Sequence, residues 1–420
     1  PPTGADINYI SPTTPNVLNI ARQSGTVTLF EVIYSNDRSD EGEEGYAAFD
    51  AELITNHDTY LSFGAASEVD KGLYKSNLLV SNMNNIPDTL NVTVTVRYVE
   101  YTTISDSQSF TLNFKGATGT ISAATKNTLV KEYIAHQGDP GDSSLSGMGY
   151  ISKQYMQPTA NYGSLANGHS AGTTINLVDD TSRDIWQYPS LRAVLFRHNK
   201  SCLQFPLTNT EAFWTHLYSM NNGSKGLSFE LWVKYDSNAN YAGDANRAPP
   251  TNNIKCWALV KETSWGPGIT FNDFRIAKNS SSSSTHNIGV SPGHSYYENQ
   301  DGHTNPDPFG DIYDHPNELL HIVGYWYTGS GGIHAGNNRK GVFINCQLYT
   351  LGGGGAQGRE VPHFSNKQNE TRFQLGNHKI NDSNHGCPLC QFYSFRIWTS
   401  RLEEDDVKIL YSLGPNGSAV

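Results

Sequence analysis

Hydrophobic and polar residues alternate in short runs along the first 115 positions. In Leu90–Tyr98, Val92, Val94, Val96 and Tyr98 alternate with Asn91, Thr93, Thr95 and Arg97. In Ser109–Phe114, Phe110, Leu112 and Phe114 alternate with Ser109, Thr111 and Asn113. A period of two sends one set of side chains to a core and the other to water, so each run predicts a strand. Thr26–Tyr34, Tyr46–Leu53 and Ser76–Val80 predict three more. Short strands separated by polar turns over about 90 residues predict a two-sheet sandwich.

That architecture resembles an immunoglobulin-like sandwich over residues 16–116, after an extended segment, 1–15. The resemblance stops at architecture, because no cysteine or tryptophan precedes residue 186 to form the Cys…Trp…Cys core of antibody domains. The acidic stretch Asp37–Glu44 falls between two strands and reads either as a solvated loop or as a calcium loop. Residues 117–185 read as a connector. Ile121–Ile134 has apolar spacings that suit a short helix, Gly138–Asp142 breaks any element, and Ser143–Thr174 is rich in Gly, Ser, Asn and Tyr.

Strand patterns resume in Ala193–Phe196, Ser201–Phe205, Ser228–Lys234, Cys256–Lys261, Leu320–Tyr327, Gly341–Tyr349, Thr371–Leu375 and Gln391–Trp398. Phe229, Leu231 and Val233 alternate with Glu230 and Trp232; Tyr393, Phe395 and Ile397 alternate with Ser394 and Arg396. Eight or more strands with long loops predict a jelly-roll sandwich over residues 186–416, with 417–420 as a tail. One helix is predicted over Arg401–Leu413. Ser400 is placed as its N-cap with Glu403 three residues on, acidic residues fill the first turn, Val407, Leu410 and Tyr411 form an apolar face, and Gly414 ends it.

This strand-then-helix ending, Phe395–Trp398 followed by Thr399–Gly414, resembles the segment that closes the concanavalin A/laminin-G superfamily of lectin-like domains. Phe229–Lys234 resembles that family's early core strand. His321–Trp326 followed by Val342–Leu348 resembles a strand pair of the family, with Asn345-Cys346 standing where Asp-Gly is usual, and Phe373–His378 resembles its short strand ending in Gly-Asn. The resemblance spans about residues 190–414. Together the two resemblances imply an all-β fold, an immunoglobulin-like sandwich followed by a concanavalin A-like jelly roll with one short C-terminal helix. They leave activity open, since one fold hosts lectins, adhesins and glucanases.

Composition narrows the function classes. Only 16% of residues are charged, and the net charge is −11 with no basic stripe, which excludes a phosphate-tracking nucleic-acid partner. No apolar run approaches the roughly 20 residues of a membrane span. Amide and hydroxyl side chains supply the wetted surface, as in secreted and virion proteins. All seven tryptophans, all five cysteines and eleven of fourteen histidines lie beyond residue 185, a shift that marks a domain boundary. Cys387 and Cys390 have a metal-like spacing with His378 and His385 before them; zinc, a local disulfide and buried free thiols are all open. Cys202, Cys256 and Cys346 sit in strand patterns and read as small core residues. Seven N-x-S/T sequons occur, at Asn91, Asn199, Asn222, Asn279, Asn369, Asn381 and Asn416, about what chance gives a chain this rich in Asn, Ser and Thr.

No catalytic constellation emerges. Glycoside cleavage needs two carboxylates at a set separation, and the E-x-D-x-x-E run that glucanases of the resembled fold carry along one strand is missing. There is no G-x-S-x-G, and the run Gly352–Gly355 lacks the lysine of a phosphate loop. Sugar rings present an apolar face for stacking and hydroxyls for Asp, Asn or backbone partners. The long stretches 263–273 and 291–314 supply Trp265, Tyr296, Tyr297, Asn299, Asp301 and Asp307 as ligand-binding candidates. Asp301, Asp307, Asp311 and Asp314 are candidate calcium ligands, although no cofactor is required. The leading expectation is a non-enzymatic structural or adhesion protein, extracellular or on a virion surface. It would bind glycans or surface receptors, or assemble with copies of itself, capsid or filament proteins. The alternatives are a secreted glycan-active enzyme or its carbohydrate-binding module, and a filament subunit without ligand.

Overall fold

The computed structural model describes residues 6–11, 17–35, 51–70, 72–135, 152–155, 175–180, 191–196, 203–206, 226–237, 255–263, 266–275, 289–291, 312–327, 340–350, 370–375 and 389–419. The fold is all-β, with several mostly antiparallel sheets and a short helix near the end. The described residues form two compact units, one up to Thr120 and one from Ile121.

Unit 1 contains β1 (Asp6–Ser11), β2 (Val17–Ala21), β3 (Val27–Ser35), β4 (Ala51–Thr55), β5 (Leu61–Phe63), β6 (Ser67–Asp70), β7 (Leu73–Val80), β8 (Thr89–Tyr98) and β9 (Ser105–Lys115). One sheet has the order β1-β3-β7-β5 with β6 also on β7, and the other the order β2-β9-β8-β4, where β2 runs parallel to β9. The alternation of β8 and β9 builds the core between them. Val92, Val94, Val96, Leu112 and Phe114 are buried with Val32, Leu78 and Val80 of the facing sheet, and Phe30 meets Phe110 edge-on at 5.0 Å. The outward set forms a cross-strand hydroxyl ladder, with Thr93 and Ser109 2.9 Å apart and Thr95 and Ser107 2.7 Å apart. Arg22 anchors one edge: it donates to the carbonyls of Met83 and Ile86 and to Asp88, and its guanidinium lies over Phe114. Of the acidic stretch 37–44, nothing lies among the described residues.

Unit 2 contains β10 (Leu129–Ile134), β11 (Ser152–Tyr155), β12 (Ile175–Asp180), β13 (Leu191–Phe196), β14 (Leu203–Pro206), β15 (Gly226–Tyr235), β16 (Lys255–Thr263), β17 (Gly266–Arg275), β18 (Gly289–Ser291), β19 (Leu319–Tyr327), β20 (Lys340–Ile344), β21 (Gln347–Thr350), β22 (Glu370–Leu375) and β23 (Cys390–Trp398). It also holds the four-residue α1 (Ala123–Lys126) and the ten-residue α2 (Glu404–Leu413). A nine-stranded sheet runs β11-β10-β23-β15-β19-β20-β21, with β13 joining β23 beyond the end of β10 and carrying β12. A five-stranded sheet runs β14-β22-β16-β17-β18.

Three local expectations are corrected. Ile121–Ile134, read as helical spacing, makes only the single turn α1 before β10 pairs with β23, because Leu129 and Ile134 find buried places on that sheet. Ser400 does not cap α2. Its hydroxyl lies 2.7 Å from that of Thr128, and Glu403 occupies the cap position without a side-chain cap bond while its carboxylate takes Arg401. Gly414 does end the helix at φ 79°. Third, Cys346, expected as a small core residue within a strand, is only half-buried and sits with Asn345 in the β20–β21 hairpin turn, both at positive φ, 48° and 71°, the type I′ backbone that Asn-Gly adopts more cheaply.

Candidate functional site

The sequence-derived ligand candidates Trp265, Tyr296, Tyr297, Asn299, Asp301 and Asp307 lie outside the described residues, as does Asp311. Asp314 is described: it ends the one-turn 3-10 helix Ile312–Asp314 and is exposed. Cys390 is buried at the start of β23, opposite Tyr235, whereas Cys387 lies outside the described residues, so their pairing is not placed. Among the described residues no group of His, Cys, Asp or Glu side chains is arranged to hold a metal ion.

The chemistry the structure does assemble was not singled out from the sequence. Four adjacent strands of the nine-stranded sheet carry ionisable or imidazole side chains to one face: Glu132 on β10, Arg396 on β23, Glu230 on β15 and His321 on β19. Register sets this row. Glu132 pairs with Arg396, Arg396 with Glu230, and His321 sits opposite Trp232, one step along the same face. All four are fully buried. Arg396 Nε donates to Glu132 Oε2 at 2.7 Å and Nη1 to Glu230 Oε1 at 2.5 Å; His321 Nε2 lies 3.1 Å from the same Glu230 oxygen.

Helix α2 and the strap that follows it close this face. Tyr411 of α2 packs on Trp232 at 5.2 Å and on His321 at 5.7 Å. The strap then spends its polar groups on the row. Arg396 Nη2 donates to the Gly417 carbonyl, Ser418 Oγ donates to Glu132 Oε1 at 3.0 Å, and the Ala419 amide donates to Glu132 Oε2 at 2.8 Å. Asn416 stitches the gap where β10 ends and β13 begins. Its amide nitrogen donates to the carbonyls of Arg192, Ala135 and Tyr393, and its oxygen accepts from the Arg192 amide at 2.8 Å. On the entry side Ser228 Oγ donates to the Ser400 carbonyl and accepts from the Leu402 amide. Beside it a Cβ on Gly226 would collide with the Arg401 backbone.

Electrostatics follow from this enclosure. Burial pushes the Glu230 carboxyl upward, but Arg396 beside it and the His321 hydrogen bond outweigh burial and leave its pKa lowered. Burial lowers the pKa of His321, more than Glu230 raises it, which favours the neutral ring; facing the Glu230 carboxylate, which can only accept, Nε2 is then the nitrogen that carries the hydrogen. Burial works against the Arg396 charge, yet Glu230 and Glu132 raise its pKa. Among the described residues Glu230 Oε2 and His321 Nδ1 have no hydrogen-bond partner. The Trp398 indole helps hold the Glu230 charge without reaching hydrogen-bond geometry. Two carboxylates thus share one guanidinium in a water-excluded slot. A hydrolytic pair must flank a scissile bond, whereas these carboxylates flank Arg396 and the protein's own strap. The row locks the sheet to its C-terminal cover.

No protein-family model and no curated protein matches the chain. The solved structures that are similar to it include a sialidase from Trypanosoma rangeli in complex with a difluorinated sugar, 10% identical over 92% of this chain and 52% of that one, at a TM-score of 0.29. A mutant of the same sialidase displaying trans-sialidase activity is 9% identical over 94% and 53%, at 0.32. Tripeptidyl peptidase 2 is 8% identical over 94% and 20%, at 0.20. The chain spans about half the length of the sialidase structures. Scores at this level transfer no residue roles. The leading expectation, a non-enzymatic virion-surface or adhesion protein, is nevertheless corrected: the comparisons bring up glycan-active enzymes, and the runner-up, a secreted glycan-active enzyme or its carbohydrate-binding module, fits them better.

Proposed function

We propose that the chain is the carbohydrate-binding part of a secreted glycan-active protein. In this reading unit 2 is a lectin-type sandwich of the concanavalin A/laminin-G kind, and unit 1 is an immunoglobulin-like domain that folds separately. One observation carries the choice of binding over hydrolysis. The carboxylates on the closed face of the nine-stranded sheet, Glu132 and Glu230, are buried and committed to Arg396, so they are not available to a scissile bond. Recognition then falls to the stretches holding Trp265, Tyr296, Tyr297, Asn299, Asp301 and Asp307, whose residue types suit ring stacking and hydroxyl bonding. Calcium through Asp301, Asp307, Asp311 and Asp314 would support that surface.

The test is a glycan array followed by calorimetry on the hits, with and without a chelator. Trp265→Ala is expected to cost a few kcal/mol of binding with an unchanged melting temperature. An array without hits rejects the reading. Sustained release of sugar from a bound glycan would instead make the chain itself the enzyme.

A further inference from the structure

Two of the seven sequons fall among the described residues, and the fold treats them in opposite ways. At Asn416 the side-chain nitrogen has both of its hydrogens engaged among the Arg192, Ala135 and Tyr393 carbonyls. An N-linked sugar would replace one of those hydrogens and stand where three strands meet. At Asn91, on β8, the hydrogen bonds run through the oxygens. Oδ1 accepts from Thr111 Oγ1 at 3.0 Å, and the main-chain carbonyl accepts from Asn56 Nδ2 at 3.0 Å and from His57 Nε2 at 2.9 Å. The Asn91 side-chain nitrogen makes no hydrogen bond among the described residues, and the residue is exposed.

The surroundings of Asn91 have room for a branched substituent. Strand β4 ends at Thr55 opposite Val94, so among the described residues no strand pairs with β8 at Asn91 on that side. The side chains of Asn56 and His57 satisfy the backbone there. On the other side β9 offers Thr111, which already bonds the amide oxygen and leaves the nitrogen pointing free of that bond.

We infer that Asn91 is an N-glycan attachment site and that Asn416 must stay unmodified for unit 2 to close. The transfer uses a lipid-pyrophosphate-linked oligosaccharide as donor. A bond forms between Asn91 Nδ2 and the anomeric carbon, the bond from that carbon to the pyrophosphate oxygen breaks, and one Nδ2 proton departs as the lipid pyrophosphate leaves. The glycan then projects from the polar face of the β4-β8-β9-β2 sheet, beside the end of β4 at Thr55. The inference shares with the proposed function only the secretory route.

The experiment expresses the full chain behind a secretion signal in a eukaryotic host and maps the secreted, folded protein by peptide mass spectrometry after enzymatic deglycosylation in heavy-oxygen water. The expected result is a labelled Asp at position 91 and unlabelled Asn416. Asn91→Gln and Thr93→Ala should each remove one glycan's mass, and Thr93→Ser should keep it. Circular dichroism on each variant separates loss of the glycan from loss of fold. Unlabelled Asn91 in folded secreted protein, or labelled Asn416 in the same fraction, overturns the inference. Glycan-array binding is read on the same preparations, so failure of the proposed carbohydrate binding is scored independently.

Discussion

Strands β8 of unit 1 and β15 of unit 2 carry nearly the same sequence rhythm and end in different environments. Along β8 the alternate positions Asn91, Thr93, Thr95 and Arg97 face solvent to varying degrees, while their neighbours fill the core. Along β15 the alternate positions Ser228, Glu230 and Trp232 are as deeply buried as Phe229, Leu231 and Val233. The difference is made elsewhere in the chain, by helix α2 and the strap 415–419, which cover one face of the nine-stranded sheet. A period of two therefore identifies two faces of a strand. It does not say that the polar face is wet.

The largest expected break in that comparison is Arg396→Met. It leaves Glu132 and Glu230 buried together with no cation, a change that costs about 3–5 kcal/mol when one partner of a buried pair is removed. Denaturant unfolding should show unit 2 losing its transition while unit 1 keeps its own. Replacing Glu132, Glu230 and Arg396 together by Leu or Met should recover much of the loss, since burying no charge is cheaper than burying an uncompensated one. If the single and triple changes prove equally damaging, the row is not an electrostatic unit.

Acid loads the same row more gently. His321 has a lowered pKa, so its contribution is complete above its unfolded value of about 6.5 and is lost as pH falls from there toward the folded value. Glu230 is lowered as well, so its contribution is complete above about 4.5 and is lost as pH drops through its folded value. Unit 2 should therefore lose stability in two acid steps, the first beginning near pH 6.5. In unit 1 the shifted tyrosine Tyr34 is raised by burial and by Tyr74, which places its effect on the alkaline side. His321→Asn should erase the upper acid step in a melting-temperature series and leave the lower one. A surviving upper step would assign it to another group.

Asn416→Ala tests the stitching of the cover to the sheet. It removes the Asn416 bonds to the Arg192 amide and to three carbonyls, of which that of Tyr393 keeps the Ala135 amide, for a cost of about 1–3 kcal/mol. Hydrogen exchange should speed up first at Arg192 and Ala135, with β8 and β9 unaffected.

The sequence reveals the elements better than their partners. Leu90–Tyr98 was readable nearly to the residue because β-branched residues alternate with hydroxyls there, and both its pairing and its burial follow that rhythm. The terminal helix was legible because its apolar face, acidic first turn and Gly414 are local signals; its cap was misread because Thr128, 272 residues away in sequence, takes the Ser400 hydroxyl. The same reason hid the Glu132–Arg396–Glu230–His321 row. Glu132 lies 264 residues from Arg396, in a segment whose local spacing suggested a helix, and only the pairing of β10 with β23 brings them together. Glu230 and Arg396 were visible as polar positions of two alternating runs, but nothing local marked them as buried. Of the ligand candidates on long loops, only Asp314 falls among the described residues.

The smallest expected effect lies on the wet face of unit 1. Thr95 stands half-exposed on β8 with its hydroxyl 2.7 Å from that of Ser107 on β9. Thr95→Ala removes one cross-strand bond where water can take over the remaining Ser107 hydroxyl, so the loss should be about 0.2–1 kcal/mol. Its unit 2 counterpart by position in the alternation, Glu230→Ala, strips a buried guanidinium and imidazole of a shared acceptor and should cost several-fold more. Measured side by side by chemical denaturation, the ratio of the two losses reports the cover itself. It should shrink toward one when Glu230→Ala is repeated in a protein whose strap has been loosened by Asn416→Ala, because water then reaches the stranded charge. A ratio that does not change would mean that the burial of Glu230 owes nothing to the strap, and that α2 alone keeps that face dry.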